Sequence, residues 1–537
     1  MSKETKNSNK NAVIIGGGPA GFATALMLAK RGWHQITILE KRPAADFYEP
    51  DKSFHYLIDG RGQKFTDLFG LTEKLAKISV PNTDFYLTEI KADGSRKTSK
   101  LPIVDPNIKT AYWLQRRIFL QLLFQEIEEN WQHCITVLFN TKCLKIEQEN
   151  SKLQILAQEI IEEGRSKKEE ERREDKRTEK VDGNSQQPAT SCLITPTNCQ
   201  HPVDGVLKEK DNQKTYQLEP HLLVGCDGIN SLVRQTLDKW DNSGTNKFKM
   251  QFFPSASSGL KYKVLTIQPN FPIENNSSER AVSTMAYAIR GAFSDSQHSL
   301  SLGILPFAQP NEPRTANIIR PPNHQIWNLP DGEKLYAFFE KAFPQLPINQ
   351  IILPEESDRF AKSEGGYFPI PQYCSGLHWL LPTKENGGVV LLGDAVHCFP
   401  PDIGQGVNSA LEDVCILDRA LSQTNDIISD ALPLFESLRS PDMKPLIRLA
   451  QTAFPWQYNQ DIPRKRLWSI NFFIRLLLSR ILPFIFSPPA FMMIQNHQLN
   501  YREIWAKAQR TTIYIYVFGL ILISGSLAWF LHDIGWF

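Results

Sequence analysis

The sequence predicts an α/β protein with a second, sheet-based domain inserted into it and a helical C-terminal region that ends in a transmembrane helix. Three observations predict this class. A strand, a glycine-rich turn and a helix open the chain between Asn11 and Gly32. Short β-like runs, rich in aromatic residues and proline, occupy 247–357. Finally, Thr511–Leu531 is a run of 21 residues without a charged side chain, long enough to cross a bilayer core of about 30 Å.

Length and composition indicate a globular chain with more than one domain. The 537 residues exceed one typical domain, and 41% are hydrophobic while 22% are charged. A net charge of +2 gives no support for a nucleic-acid partner. The eight cysteines follow neither CxxC nor Cys/His ligand spacing, so we expect reduced thiols and no metal site.

The first glycine turn matches the pattern GxGxxG and contains the candidate contacts Gly16, Gly18, Pro19, Ala20 and Gly21. The first glycine permits a tight turn, the second permits close approach of a pyrophosphate, and the third lets the helix pack on the strand. The next strand ends 19 residues later at an acid that can accept hydrogen bonds from a ribose, Glu40, and Arg42 follows as a further candidate contact. The combination predicts a Rossmann-type dinucleotide site. No second turn of this kind occurs in the sequence, which favours FAD as the resident cofactor and NADPH or NADH as a visiting cosubstrate.

Two later turns contain further candidate contacts. VGCDGINSLVR includes Asp227, Gly228 and Arg234. In GDAVHCFPPDIGQGVNSALED an acid ends a strand and can accept from ligand hydroxyls, and glycines let the backbone approach a flat ring before a helix begins. Each turn alone is equally consistent with an ordinary turn and a capping acid, but their order after GxGxxG favours a cofactor site. The candidates in the last stretch are Gly393, Asp394, Pro401, Gly404, Gln405, Gly406, Val407 and Asn408.

The three motifs in this order resemble the class A FAD-dependent monooxygenases, whose pattern is GxGxxG, DGxxSxxR and GDAxHxxxPxxGQGxN followed by an acid. The resemblance implies a Rossmann-like FAD-binding domain of the GR2/PHBH type. It also implies that NAD(P)H reduces FAD, that O₂ then forms a flavin C4a-hydroperoxide, and that one oxygen atom hydroxylates an aromatic or other electron-rich substrate. This chemistry needs no side-chain nucleophile.

The same resemblance suggests which residues lie beside the reacting groups. These candidates are Pro401, Gly404, Asn408 and His55. The histidine is expected either to face the substrate or to pack beneath the flavin. Arg117 falls where the family has a flavin-contacting arginine at a helix start, and the neighbouring Arg116 is the alternative.

Within this class the chain looks most like the kynurenine 3-monooxygenases, through IDGRGQKFTDLFGLTEKL, ESLRSPDMKPL and the C-terminal tail. That family holds a substrate carboxylate with an arginine and tyrosines. The corresponding positions here carry Phe85 or Tyr86, Ile103, and Thr452 or Phe454. A buried carboxylate without a cation is costly, so we predict a substrate other than kynurenine unless Arg96 supplies the charge. The alternative functions are a membrane-bound FAD-dependent epoxidase or reductase acting on a lipophilic substrate, and a non-catalytic flavin-binding scaffold.

The expected domain organisation is discontinuous. An FAD-binding domain comprises 1–80, 105–161, 215–240 and 360–425, and a substrate domain comprises 81–104 and 241–359. The interval 162–214 begins with eight acids and eight bases up to Lys180, and we expect it to be a disordered insertion. A helical region, 426–510, precedes the membrane anchor, 511–531. Basic residues before the anchor and a lone acid after it predict a catalytic body on the cytoplasmic side.

The expected partners are a small-molecule substrate, O₂ and, through the C-terminal helix, a membrane. The apolar stretch Arg464–Phe486 is interrupted by charges and a proline. It is typical of a membrane-surface or packed helix rather than a second span.

Overall fold

A computed structural model describes residues 10–100, 109–149, 152–161, 208–210, 213–382 and 387–533. Ile103 and residues 162–207 of the predicted insertion lie outside the described residues. At the end of the predicted insertion, the described residues form the strands β11 (Lys208–Lys210) and β12 (Gln213–Leu218).

A six-stranded sheet forms the centre of the first core. Its strands run parallel except for the edge strand β21. In spatial order they are β21 (His378–Leu380), β22 (Gly388–Leu391), β13 (Leu222–Gly225), β1 (Asn11–Ile15), β2 (Gln35–Leu39) and β8 (Ile135–Leu138). Because the carboxyl ends of parallel strands meet at one edge, this order brings the three predicted turns together there.

Helices cover this sheet and pack on one another. Helix α1 crosses from β1 to β2, and Pro19 suits its first turn because proline lacks only a donor that is unpaired there anyway. The other helices associated with this core before the C-terminal region are short. In chain order, the helices of this core are α1 (Pro19–Lys30), α2 (Gly60–Leu68), α3 (Thr72–Lys77), α4 (Arg116–Glu126) and α5 (Leu232–Trp240).

The second core lies against a seven-stranded sheet covered by α6 (Gly332–Ala342), α7 (Ile348–Ile351) and α8 (Pro354–Lys362). The first and last of these helices place Phe339 and Phe360 in this core. The last short strand, β19, lies in an interval predicted for the FAD-binding domain. In spatial order the strands are β19 (Gly366–Tyr367), β15 (Lys261–Ile267), β18 (Arg314–Arg320), β17 (Ser301–Ile304), β16 (Ala286–Arg290), β5 (Tyr86–Ile90) and β6 (Arg96–Lys100).

Three smaller sheets complete the β structure of the described residues. One of them carries His55 at its start, and another carries His397. Their strands are β3 (His55–Ile58), β7 (Tyr112–Gln115) and β4 (Val80–Pro81), then β9 (Thr141–Glu149) and β10 (Lys152–Glu159) with β12 and β11, and finally β14 (Gln251–Phe252), β20 (Gln372–Tyr373) and β23 (His397–Cys398).

The C-terminal region is helical, as predicted. Within the described part of the chain one helix, α13, is long and apolar enough to cross a membrane, and its apolar window is not buried by the protein. Every residue of α11 keeps accessible surface, including Leu467 and Phe473. The helices are α9 (Gly406–Gln423), α10 (Ile428–Thr452), α11 (Ile462–Ile481), α12 (Ala490–Met493) and α13 (Tyr501–Asp533).

Candidate functional site

The GxGxxG turn joins β1 to α1 in a shape that only glycine permits. Gly16 has φ +104°, and a Cβ there would lie 2.3 Å from the carbonyl oxygen of Cys226. A Cβ on Gly21 would lie 1.9 Å from the Gly16 oxygen, so the helix packs directly on the turn. Gly18, by contrast, has no described neighbour within 4 Å of such a Cβ. The protein therefore fills the space beside Gly16 and Gly21, whereas the space beside Gly18 is open. There the first N–H groups of α1 can face an anion.

Glu40 and Arg42 brace this turn from the end of β2. The Gly17 N–H donates to Glu40 Oε2 at 2.6 Å, and Arg42 Nε donates to Glu40 Oε1 at 2.9 Å. Arg42 Nη2 also donates to the Gly17 carbonyl at 2.9 Å. Burial alone would raise the pKa of Glu40, but these partners hold it below its ordinary value. The acid is therefore ionised at the position predicted for ribose recognition.

Asp394 follows β22 in the short turn Gly393–Ala395, and the region that this turn faces is here called the cleft. Its side chain keeps accessible surface, yet burial raises the pKa of its carboxyl group. The charges of His397 and Arg116 oppose that effect. Accessible surface together with strong desolvation is the property expected of a group that faces an enclosed ligand site.

Arg116 and Arg117, side by side at the start of α4, face different neighbours. The charge of Arg116 acts on Asp394 and on the half-buried Tyr56. Arg117 donates to Gln115 Oε1 at 2.9 Å and forms an ion pair with Glu312 at 3.1 Å. The geometry favours Arg116 over Arg117 as the arginine beside the cleft. Sequence alone left both open, because one helical step decides which of the two turns inwards.

The segment Pro401–Gly406, here called the flavin loop, presents bare backbone. It forms one short turn, and Gly404 has φ +63°, which favours glycine. A Cβ on Gly404 or Gly406 would meet no described atom within 4 Å. Packing within the protein requires glycine at Gly16 and Gly21, but it does not require glycine at Gly404 or Gly406. The flavin loop therefore leaves room for a ligand on its open side.

Gln405 and Asn408 use their side chains inside the protein. Asn408 Nδ2 donates to the carbonyls of Leu57 at 2.8 Å and Gly404 at 3.0 Å, and its Oδ1 accepts from the Asp59 N–H at 3.1 Å. Gln405 Nε2 donates to Asp59 Oδ2 at 2.7 Å. These side chains fix the flavin loop against α2, so any ligand contact from Gln405 or Asn408 comes from the backbone. Val407 between them is buried.

The DGxxSxxR turn is tied to the Asp394 turn. Arg234 Nη1 donates to the Ala395 carbonyl at 3.0 Å, and Gly228 adopts φ +81°. Asp227 Oδ2 accepts from the Val233 N–H at 3.2 Å, while its Oδ1 is buried and has no hydrogen-bond partner among the described residues. Burial raises the pKa of Asp227. This motif is therefore tied to the Asp394 turn and contains one buried polar atom with no partner among the described residues.

A buried charge network lies behind the cleft. His397 Nε2 and Asp413 Oδ2 are 2.8 Å apart, and Arg439 Nε donates to Asp413 Oδ1 at 2.6 Å. Arg439 Nη1 also donates to Glu412 at 2.8 Å, and Arg61 Nη1 donates to the same acid at 2.6 Å. The third sequence motif contains His397 and ends at the acid Asp413. The sequence analysis missed both arginines, whose partners lie far away along the chain.

The network continues to α13, the candidate membrane anchor. The Arg61 guanidinium lies 4.1 Å from the ring of Tyr501, and the Tyr501 hydroxyl donates to Gln405 Oε1 at 2.8 Å. Tyr501 is fully buried at the start of α13. The flavin loop is therefore hydrogen bonded to the first residue of that helix.

The structure does not bring the proposed substitute cation, Arg96, to the cleft. Arg96 forms ion pairs with Glu279 at 2.6 Å and Glu274 at 3.2 Å on the outer strand β6. His55 behaves differently, because both its ring nitrogens are buried and have no hydrogen-bond partner among the described residues. Burial, with the charge of Arg314, lowers the pKa of His55 to about 3, so the ring is neutral.

The other positions where a carboxylate-binding residue was sought are apolar or turned away. Phe85 packs against Trp113, with ring centroids 5.6 Å apart, while Tyr86 is exposed. The Thr452 hydroxyl donates to the carbonyl of its own helix, and Phe454 packs among aromatic rings. These described positions supply no cation to a substrate.

Comparisons with known proteins agree with this geometry. A family model described as an FAD binding domain matches residues 193–268 and 381–426. The chain is 24% identical to a kynurenine 3-monooxygenase from Dictyostelium discoideum, over 77% of this chain and 71% of that protein. It is 22% identical to one from Salinispora tropica, over 93% and 91% of the two chains. Together these matches support a class A FAD-dependent monooxygenase, close to the kynurenine 3-monooxygenases.

Solved structures show the same fold for this monooxygenase. A structure of 2-methyl-3-hydroxypyridine-5-carboxylic acid oxygenase superposes with a TM-score of 0.52 at 16% identity, covering 84% of this chain and 92% of that one. A variant of PqsL from P. aeruginosa gives 0.50 at 16% identity, covering 86% and 99%. The predicted α/β class, the FAD cofactor and the monooxygenase activity are confirmed. The epoxidase or reductase alternative is not favoured, because these relatives are named kynurenine 3-monooxygenases.

Proposed function

We propose that this monooxygenase binds FAD across the three turns and hydroxylates an electron-rich aromatic substrate between the flavin loop and the second sheet. The observation that carries this proposal is a contrast among the glycines. Gly16 and Gly21 are packed against protein atoms, whereas a Cβ added at Gly18, Gly404 or Gly406 would meet no described atom within 4 Å. FAD, when bound, supplies the reducing and oxygen-activating chemistry. The protein binds the cofactor and the substrate, orients them, and excludes water from the site.

Each turn has a separate part in this proposal. The N-terminus of α1, from Gly18, holds the pyrophosphate by its N–H groups, and Glu40 accepts from the ribose. Asp394, aided by Arg116, accepts from the hydroxyls of the ribityl chain. The backbone from Pro401 to Gly406 lies against the flavin ring and fixes its plane.

The cofactor assignment is tested by Asp394→Ala. Losing a charge-assisted hydrogen bond should weaken FAD binding by about tenfold or more, measured as the flavin-to-protein absorbance ratio after dialysis. Asp430→Ala is the matched control, since Asp430 is an exposed acid on α10. Full flavin occupancy in the Asp394→Ala variant would contradict the assignment.

The reaction is tested by oxygen-dependent, substrate-stimulated oxidation of NADPH or NADH with detection of an oxygenated product. L-kynurenine belongs in the substrate panel. We predict that it stimulates the enzyme weakly, because the described residues at its carboxylate-binding positions carry no cation. Turnover with kynurenine as efficient as with any other compound in the panel would contradict the substrate prediction.

We further propose that α13 anchors the monooxygenase with its catalytic body on the cytoplasmic side. Arg502, Lys507 and Arg510 precede the uncharged segment, which supports this orientation. Truncation before Thr511 should release the protein from membranes into the soluble fraction. Continued sedimentation with membranes would instead make α11 an independent anchor. A protease-sensitive tag after the C-terminus, protected in sealed vesicles with the cytoplasmic face outwards, tests the orientation.

A further inference from the structure

One carboxyl group in the flavin loop, that of Asp402, takes no part in the buried charge network described above. Asp402 is 4% exposed, and neither of its oxygens has a hydrogen-bond partner in the described structure. Ser257, Gln457 and Tyr458 lie close enough for their side chains to lower its pKa by hydrogen bonding, although neither oxygen has a partner in strict hydrogen-bond geometry. A buried acid without a well-formed hydrogen bond is costly, and a donor on a ligand would remove that cost.

A second polar group at the same place is also unsatisfied. Gln457 Nε2 is buried without an acceptor among the described residues. Nearby, Gln460 Nε2 donates to Ser257 Oγ at 3.2 Å and to the Ala256 carbonyl at 3.3 Å, which anchors the segment after α10 to the segment before β15. Asp402 and Gln457 thus come from separate parts of the chain, and each brings unpartnered polar atoms to one point.

A row of packed aromatic rings, here called the aromatic wall, leads to this point from Phe54. Successive ring centroids are 5.3 Å apart from Phe54 to Tyr262, 5.3 Å from Tyr262 to Phe368, and 5.5 Å from Phe368 to Tyr458. Phe54 immediately precedes β3, and Tyr458 approaches Asp402. The wall can pack against the face of an aromatic substrate whose polar end lies at Asp402.

The charge at this end selects the chemistry of the ligand. No lysine or arginine is among the described groups that shift the pKa of Asp402. A carboxylate substrate would therefore be repelled here, whereas a hydroxyl or amino group would donate to the unpartnered oxygens.

We propose that Asp402, with Gln457 and Tyr458, binds the hydroxyl or amino group of the aromatic substrate and acts as its proton acceptor. The proposal rests on the function proposed above and adds the polarity of the substrate. As the ring is attacked, the proton of the O–H or N–H bond moves to an Asp402 oxygen. Its electron pair stays on the heteroatom and enriches the ring, and the proton returns to the heteroatom when the product forms.

Four compounds that share an ethylbenzene skeleton test whether the site prefers a hydroxyl or amino group. The test uses the FAD-loaded, full-length protein. The compounds are 4-ethylphenol, 4-ethylaniline, ethylbenzene and 4-ethylbenzoate, with binding followed by the change in flavin absorbance without NADPH. We expect the phenol and the aniline to bind about tenfold or more tightly than ethylbenzene, and the benzoate to bind worst. Because no turnover is involved, failure of the oxygenase assay with an intact binding order refutes the proposed reaction but not the proposed site.

Substitutions separate the proton acceptor from mere shape. Asp402→Asn should reduce the preference for the phenol by about tenfold and should improve binding of the benzoate, since it removes the negative charge. Tyr458→Phe keeps the aromatic ring and should reduce the same preference by about threefold, which preserves a test if the first variant fails to hold FAD. Asp430→Asn should change nothing.

Three results would overturn the proposal. These are an unchanged order of affinities in both the Asp402→Asn and the Tyr458→Phe variants, tightest binding by the benzoate, and no binding by any probe.

Discussion

Two buried aspartates in one stretch of chain have opposite surroundings. Asp413 accepts from the Gly393 N–H at 2.8 Å, lies 2.8 Å from His397 Nε2, and accepts from Arg439 at 2.6 Å. Burial alone would raise its pKa, but these partners hold it below the ordinary value. Asp402 has no such partners in the described structure, and burial raises its pKa to about 6. The acid that completes the sequence motif holds the fold, while the acid outside the motif is left for a ligand.

The largest expected effect comes from breaking the partnered site. Arg439→Met leaves Asp413 and Glu412 buried with too few partners, and we expect the free energy of unfolding to fall by about 3–5 kcal/mol. Urea denaturation of the protein truncated before Thr511 measures it. Arg290→Met is the matched control, since Arg290 pairs with Glu89 at an exposed site and should cost under about 1 kcal/mol. Equal effects of the two substitutions would show that the network is not structural.

Neutralising the unpartnered acid should have the opposite sign. The folded-state pKa of Asp402 lies above the unfolded value, so the folded protein binds this proton more tightly and gains stability as the pH falls through about 6. Asp402→Asn should therefore raise the free energy of unfolding at pH 7.5 by about 2–3 kcal/mol, and the gain should fade near pH 4. Destabilisation at pH 7.5 would mean that Asp402 is partnered in the folded protein.

A smaller effect is expected where the partnered network reaches the flavin loop. Tyr501→Phe removes the donor to Gln405 Oε1 and should lower the free energy of unfolding by about 1–2 kcal/mol, because the buried acceptor is left unpaired. Tyr367→Phe, at an exposed ring on β19, is the control. Identical unfolding midpoints for the two variants would place the Tyr501 hydroxyl outside the network.

Sequence predicted the parts of this molecule that depend on neighbouring residues. The glycine turns, the acids at strand ends and the uncharged C-terminal segment each act within a few positions, and the central sheet follows from them. Arg439 and Arg61 escaped prediction because their acids lie across the fold. The choice of Arg116 over Arg117 depends on helix phase at one residue. No sequence pattern singles out Asp402, because its surroundings include Ser257 and Gln457, which the chain brings from elsewhere.

The hydrogen bond from Tyr501 to the flavin loop has a geometric consequence. Tyr501 begins the same unbroken helix that becomes uncharged at Thr511, and ten residues of helix rise only about 15 Å. Under the anchoring proposed above, α13 would therefore connect the bilayer to the flavin loop as a continuous helix rather than as a flexible linker. The loop would then lie close to the membrane surface, within reach of compounds that dissolve in the bilayer.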